Sequence, residues 1–216
     1  MEILKLTLKS SKIDETRDFY HEKLGFKINY LNANMLSLQV GKTDLVFEKE
    51  LDNCKANYHF AFLLPKNKLD EALIWLESKI SVIKNESGAI VQFPNWNASS
   101  VYFHDNNGNI LEFICRNDMD NDSTYNFSTE SILSINEVGL AHESPLFLAN
   151  SLISEIGTEY FSKGPVSEEF VALGDECGMF VISGLNRNWF PTNQLAQNHP
   201  INVSVKEKGI EYKLDF

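Results

Sequence analysis

Three polar residues set into apolar strands are the first candidates for chemistry: Lys5, His59 and Glu112. Lys5 lies between Leu4 and Leu6, His59 leads into Phe60 to Leu64, and Glu112 interrupts the apolar run Ile110 to Cys115. Side chains of a strand alternate between two faces. Leu4, Leu6, Phe60, Phe62, Leu111 and Phe113 therefore face inward, and Lys5, His59 and Glu112 take the other face. A carboxylate in such a run needs a partner or a wet cavity. Imidazole nitrogen and carboxylate oxygen together suit borderline divalent metals such as zinc, manganese, nickel or iron.

Other chemistries find no support. The chain has no glycine-rich phosphate loop ahead of a helix, no His-Glu-x-x-His and no nucleophile elbow, and Gly41-Lys42-Thr43 lacks the upstream glycine of a phosphate-binding loop. His21, His104, His142 and His199 have no partner at a diagnostic spacing. With 30 acidic and 19 basic residues the formal charge is −11, which disfavours nucleic acid and anionic membrane surfaces as partners. The start Met1-Glu2-Ile3-Leu4-Lys5 enters a strand pattern directly, and no apolar run is long enough to span a bilayer, so a cytoplasmic protein is expected. Cys54, Cys115 and Cys177 are spaced for neither a disulfide framework nor a zinc knuckle, and reduced, mostly buried thiols are expected.

The elements that must position the polar residues follow a repeating order. Strand alternation through Leu8 is followed by a capped helical stripe, Ser11-Lys12-Ile13-Asp14 into Ile13, Tyr20 and Leu24, which Gly25 ends. Strands are predicted at Phe26 to Tyr30, Met35 to Val40 and Asp44 to Glu48. The order restarts at Tyr58 to Leu64, with a helix from Asn67-Lys68-Leu69-Asp70 to Ile80 and strands near Ser81 to Lys84, Ala89 to Phe93, Val101 to Phe103 and Ile110 to Cys115. A polar, acidic stretch separates Arg116 from Glu130. A third start then comes at Ile132 to Leu140, with a helix opened by Ser144-Pro145 and stopped by Gly157. Phe170 to Leu173 and Met179 to Ile182 form one hairpin, Ile201 to Leu214 another.

This order, with Phe19-Tyr20 to Leu24-Gly25-Phe26 in the first unit and Gly108-Asn109-Ile110-Leu111-Glu112-Phe113 closing the second, resembles the vicinal oxygen chelate superfamily of glyoxalases, bleomycin-binding proteins and extradiol dioxygenases. The resemblance implies an α+β fold of repeated βαβββ modules. It implies a paired-module domain over residues 1–116, a linker over 117–130 and a third, incomplete module over 131–216. It further implies that the first and last strands of paired units present metal ligands to a cleft, matching Lys5, Glu48, His59 and Glu112. Glu137 occupies the position in the third unit that Lys5 and His59 hold in the first two, where a second polar cleft is conceivable.

Lys5 decides what that set is expected to do. An ammonium about 4 Å from a divalent ion is repelled by roughly 8 kcal/mol at an effective dielectric of 20. A metal-free cleft follows, with Lys5, His59 and Tyr102 binding a small organic ligand and Glu112 as the catalytic carboxylate in any reaction. No cofactor is expected on this reading, and a homodimer is. The alternative is a divalent metal on His59, Glu112 and Glu48 in a glyoxalase-like lyase or isomerase. Ring-cleaving dioxygenase chemistry fits less well, because its resemblance asks for two histidines. Core or loop packing is the main expectation for the aromatics, with the alternative that Tyr102, Phe93 and Trp96 wall a cleft and that Trp189, Phe190 and Pro191 lid the third unit.

Overall fold

The computed structural model describes residues 1–50, 56–86 and 88–216. Cys54 lies outside them. The first unit runs β1 (Glu2–Ser10), α1 (Ile13–Arg17, continued by a π-helical stretch Asp18–Lys23), β2 (Lys27–Asn32), β3 (Met35–Val40) and β4 (Thr43–Lys49). The second runs β5 (His59–Leu64), α2 (Leu69–Glu77), β6 (Val82–Ile83), β7 (Ile90–Phe93), β8 (Ala98–His104) and β9 (Ile110–Arg116). The third has β10 (Ser134–His142), α3 (Pro145–Ile156), β11 (Phe170–Asp175) and β12 (Gly178–Gly184), and the hairpin β13 (Asn202–Glu207) and β14 (Ile210–Asp215) follows. The α+β class and the repeated units are as expected.

Local chemistry explains most of the boundaries. Helix α3 begins with Pro145, whose missing N–H costs nothing in a first turn, and ends at Gly157 with φ of 72°. The capping boxes expected at Ser11 and Asn67 do not form: α1 and α2 start behind Lys12 and Lys68 without a side-chain cap. Each of those lysines instead pairs with a glutamate three residues on, Lys12 with Glu15 and Lys68 with Glu71, both at 2.6 Å.

The strands form two sheets, one ordered β14-β13-β1-β4-β3-β2 and one ordered β11-β12-β10-β5-β9-β8-β6, with β7 on β8. The pairing of units differs from the expectation that the first joins the second. Strand β5 pairs antiparallel with β10, so the second and third units share a sheet, while β1 pairs antiparallel with β13 of the C-terminal hairpin. A continuous core between sheets and helices takes one face of each strand, including Leu6, Leu8, Phe60, Phe62 and Phe113. Phe62 and Phe113 meet edge to face at 5.7 Å. Truncating either to Ala would cost about 3–5 kcal/mol. The opposite face of the second sheet carries its own clusters, with Ala61 and Ile114 in one and Tyr102, Val181 and Trp189 in another. Cys115 is buried and Cys177 exposed, both free thiols, so the expectation of burial fails at Cys177.

Candidate metal centre

The face of the second sheet turned away from the helices holds a buried polar cluster. On β5 the alternation that buries Phe60 and Phe62 in the core turns His59 and Ala61 the other way. Strand β9 runs parallel to β5 with Glu112 beside Ala61. On β10 a bulge between Ile135 and Glu137 absorbs Asn136, keeps Ile135 and Val138 in the core, and brings Glu137 opposite Ala61. His59, Glu112 and Glu137 are all buried, and their nearest ligating atoms lie within 4.8 Å of one another.

Strands β5 and β10 are related by a local two-fold through the Phe60–Val138 pair, which makes His59 and Glu137 equivalent. Glu112 stands beside Ala61 on β9, and its counterpart beside Gly139 on β12 is Val181. The four equivalent positions thus supply three donors and one valine. Gly139 fits a tight spot here: a Cβ on it would meet Cβ and O of His59 and the Trp189 ring, each at 3.0 Å, and would press on the histidine.

The tautomer of His59 follows from its hydrogen bond. Nδ1 lies 3.1 Å from the carbonyl oxygen of Ile110, which can only accept, so Nδ1 carries the proton and Nε2 presents its lone pair. Burial lowers the His59 pKa from 6.5 to about 4, so the ring is neutral. Nε2 lies 3.6 Å from Oε2 of Glu112, beyond hydrogen-bond distance. Burial, and then the charge of Glu137, raise the Glu112 pKa from 4.5 to about 8. Burial also raises that of Glu137, with the Arg116 charge opposing it.

Arg116 is fully buried on the same face of β9 and spreads its fork over three partners. Nε donates to Asn136 at 2.7 Å, Nη2 to Glu137 Oε1 at 2.5 Å and Nη1 to Glu176 at 3.3 Å. Glu176 in turn pairs with Lys163. The guanidinium lies 5.8 Å from the Trp96 ring and 5.6 Å from that of Phe161. It fixes one Glu137 oxygen and leaves the other to the cluster. Tyr102 pairs with Glu112 across β8 and β9, and burial followed by the charge of Glu112 keeps its phenol protonated. Ser100, two residues before it, buries its hydroxyl beside Glu112 and Tyr102.

A cleft of about 300 Å³ opens onto the cluster, with Phe93, Trp96, Tyr102, Trp189 and Phe190 in its walls. The aromatics assigned to one wall and those assigned to a cover over the third unit thus line one cleft. Of the residues singled out in the sequence, His59, Glu112 and Tyr102 line this cleft. Lys5 and Glu48 do not: both belong to the other sheet, where Lys5 is exposed and Glu48 pairs with Lys9 at 2.8 Å. The register places Val46, not Glu48, beside Thr7 of β1.

The expectation of a degenerate, metal-free site anchored by Lys5 is therefore overturned. The donor set is complete without either residue, because Glu137 of the third unit fills the position assigned to Lys5. Among the described residues no ammonium enters the cluster, so the repulsion that argued against a metal does not arise. The residues present fit a divalent ion: a neutral imidazole with an outward lone pair, two carboxylates, and a second hydrogen bond fixing the imidazole and one carboxylate. Arg116 and Val181 escaped the sequence reading. Ile110, Glu112, Ile114 and Arg116 alternate on one face, which was a usable signal for Arg116, whereas nothing marks Val181.

No family model and no curated protein matches the chain. Solved structures do. A candidate dioxygenase from Bacillus subtilis subsp. subtilis str. 168 aligns over 100% of this chain and 84% of its own, with a TM-score of 0.65 and 16% identity. A lactoylglutathione lyase from Agrobacterium tumefaciens aligns over 51% of this chain and 90% of its own (TM-score 0.43, 22% identity). A bleomycin resistance determinant encoded on transposon Tn5 aligns over 54% and 99% (TM-score 0.42, 25% identity). Among the described residues no helix is long and apolar enough to cross a membrane.

Proposed function

Since the chain has the fold of the vicinal oxygen chelate superfamily, we propose that it is a divalent-metal-dependent lyase or isomerase of glyoxalase-like type, acting on a small organic substrate in the cleft of the second sheet. The observation that carries this reading is the buried convergence of His59, Glu112 and Glu137 within 4.8 Å. His59 through Nε2, with Glu112 and Glu137, would hold the ion, which when bound supplies Lewis-acid polarisation of a carbonyl or hydroxyl oxygen.

The chain's own residues divide the remaining work. Glu137, tied to Arg116, is held in one orientation, and the guanidinium offsets part of the burial that raises its proton affinity. Glu112 pairs with no lysine or arginine among the described residues and lines the cleft, where its carboxylate could take a proton from a carbon next to a carbonyl and return it to the neighbouring atom. Tyr102 keeps a hydroxyl donor beside that carboxylate. The aromatic walls exclude water from the exchange and give an apolar substrate its contacts. A ring-cleaving reaction is less well supported, because the cluster contains one histidine rather than two. The free thiols Cys115 and Cys177 accord with a reducing, cytoplasmic setting.

The test is elemental analysis of untagged protein prepared without chelator, beside a His59→Ala, Glu112→Ala double variant. Near-stoichiometric metal lost in the variant is expected. Metal-free wild type that also fails to take up zinc, manganese, nickel or iron would sink the reading.

A further inference from the structure

Among the described residues that line the cleft, the one permanent cation is Arg187, and no carboxylate pairs with it. Arg187, between β12 and β13, lines the same cavity as His59, Glu112 and Glu137 and is exposed, whereas those three are buried. Arg116 is saturated by Asn136, Glu137 and Glu176. Arg187 has no ion-pair partner among the described residues; its guanidinium lies 4.9 Å from the ring centre of Phe170, another wall of the cleft. Stacking on a ring uses a guanidinium's face and leaves its N–H edge free to donate in a fork.

The surroundings make that free edge informative. In a chain of net charge −11 carboxylates are plentiful, yet none is within ion-pair distance of Arg187 among the described residues. The carboxylates of the cluster are buried and serve the floor, so the exposed guanidinium is the group of the cleft available to a ligand's carboxylate. Between the two the walls are apolar and aromatic, and a cavity of about 300 Å³ is at the small end of ligand sites.

We propose that Arg187 determines substrate choice by pairing with the carboxylate of a small monocarboxylate whose apolar or aromatic body fills the cleft, its reacting oxygen reaching the floor. The proposal names the substrate class of the metal-dependent reading and rests on it for what happens at the floor.

The test uses 3-phenylpropanoate and its neutral amide, 3-phenylpropanamide, titrated calorimetrically into wild type, Arg187→Met and Arg187→Lys, each with chelator and with saturating manganese. Wild type should prefer the carboxylate by about tenfold to a hundredfold with and without metal, as a charge-assisted hydrogen bond implies. Arg187→Met should abolish the preference, and Arg187→Lys should keep part of it. An undiminished preference in Arg187→Met overturns the proposal, as does failure of both probes to bind wild type. A preference present only with manganese also overturns it, since the carboxylate would then be on the metal, and that result would favour the metal reading. An arginine-dependent preference in a protein that takes up no metal leaves the inference standing and removes the metal reading.

Discussion

Strands β1 and β10 open units of the same design and end in opposite roles. Each carries a bulge one residue before its key polar position, Leu4 ahead of Lys5 and Asn136 ahead of Glu137. Each lies beside a parallel strand of its own unit, β4 and β12. Glu137 is buried against two other ligand-type side chains. Lys5 is exposed, with Asp44 of β4 and Ser204 of β13 as its strand neighbours and the buried Val46 where the second unit has Glu112. The difference is one of partners. Strand β5 faces β10, both strands contribute an acceptor, and aromatic residues cover the result; β1 faces a plain hairpin that adds only the short strands β13 and β14. A module therefore supplies half a site, and the strand paired against it decides whether the other half arrives.

If that is right, the heaviest penalty lies in the support of the second sheet's site. Arg116→Met leaves Glu137 buried without its cation. Breaking a buried pair in this way costs about 3–5 kcal/mol, and Glu137 can take up a proton, which holds the loss toward the lower figure. Urea unfolding of the metal-free protein measures it; a loss under about 1 kcal/mol would mean that Arg116 does not hold the cluster together.

Removing a donor comes next. Ligand loss should lower metal affinity at least as much as loss of a supporting hydrogen bond, on the order of a hundredfold or more. Glu137→Gln and His59→Ala are expected to show it by competition with a chelating dye, while Lys5→Ala and Glu48→Ala leave affinity unchanged. Equal effects from the two sheets would erase the contrast.

The metal-free protein should also carry the cluster's charge in its pH dependence. The Glu112 pKa is raised from 4.5 to about 8, so its contribution to stability is fully present below 4.5 and is lost as pH rises to about 8. The His59 pKa is lowered from 6.5 to about 4, so its contribution is fully present above 6.5 and is lost as pH falls to about 4. Between 4.5 and 6.5 the slopes oppose one another, and above 6.5 the Glu112 loss is no longer offset by His59. Stability should fall by about 2 kcal/mol between pH 6.5 and 8, and Glu112→Gln should flatten the curve. A curve that rises over that interval in wild type would contradict the burial of Glu112.

Much of this was legible in the chain. Alternation alone turned His59 and Glu112 to one face, and the repeat of strand, helix and strands gave the fold class. What alternation does not contain is which unit pairs with which. The β5–β10 pairing brings Phe60 to Val138 across more than seventy residues, and no local pattern chooses it over pairing with β1. Hence Lys5 was given the position that Glu137 holds, and Glu137 was set aside for a separate cleft. Glu48 was misplaced by one step of strand periodicity: it shares the outer face with Val46 but lies beside Lys9 rather than Thr7.

The smallest expected effect concerns the pair that took Glu48 out of the reckoning. Lys9 and Glu48 meet at 2.8 Å with side chains 28% and 36% exposed. Such a pair is screened by solvent and orders two long side chains, so its net worth is about 0–1 kcal/mol. A double-mutant cycle of Lys9→Ala and Glu48→Ala should return a coupling within that range, shrinking further in 1 M salt. A coupling several times larger, insensitive to salt, would show that the first sheet's outer face is covered in solution. The contrast between an occupied and an open face would then have to be drawn on a different basis, since the lost site of the first unit would have become an interface rather than solvent-facing surface.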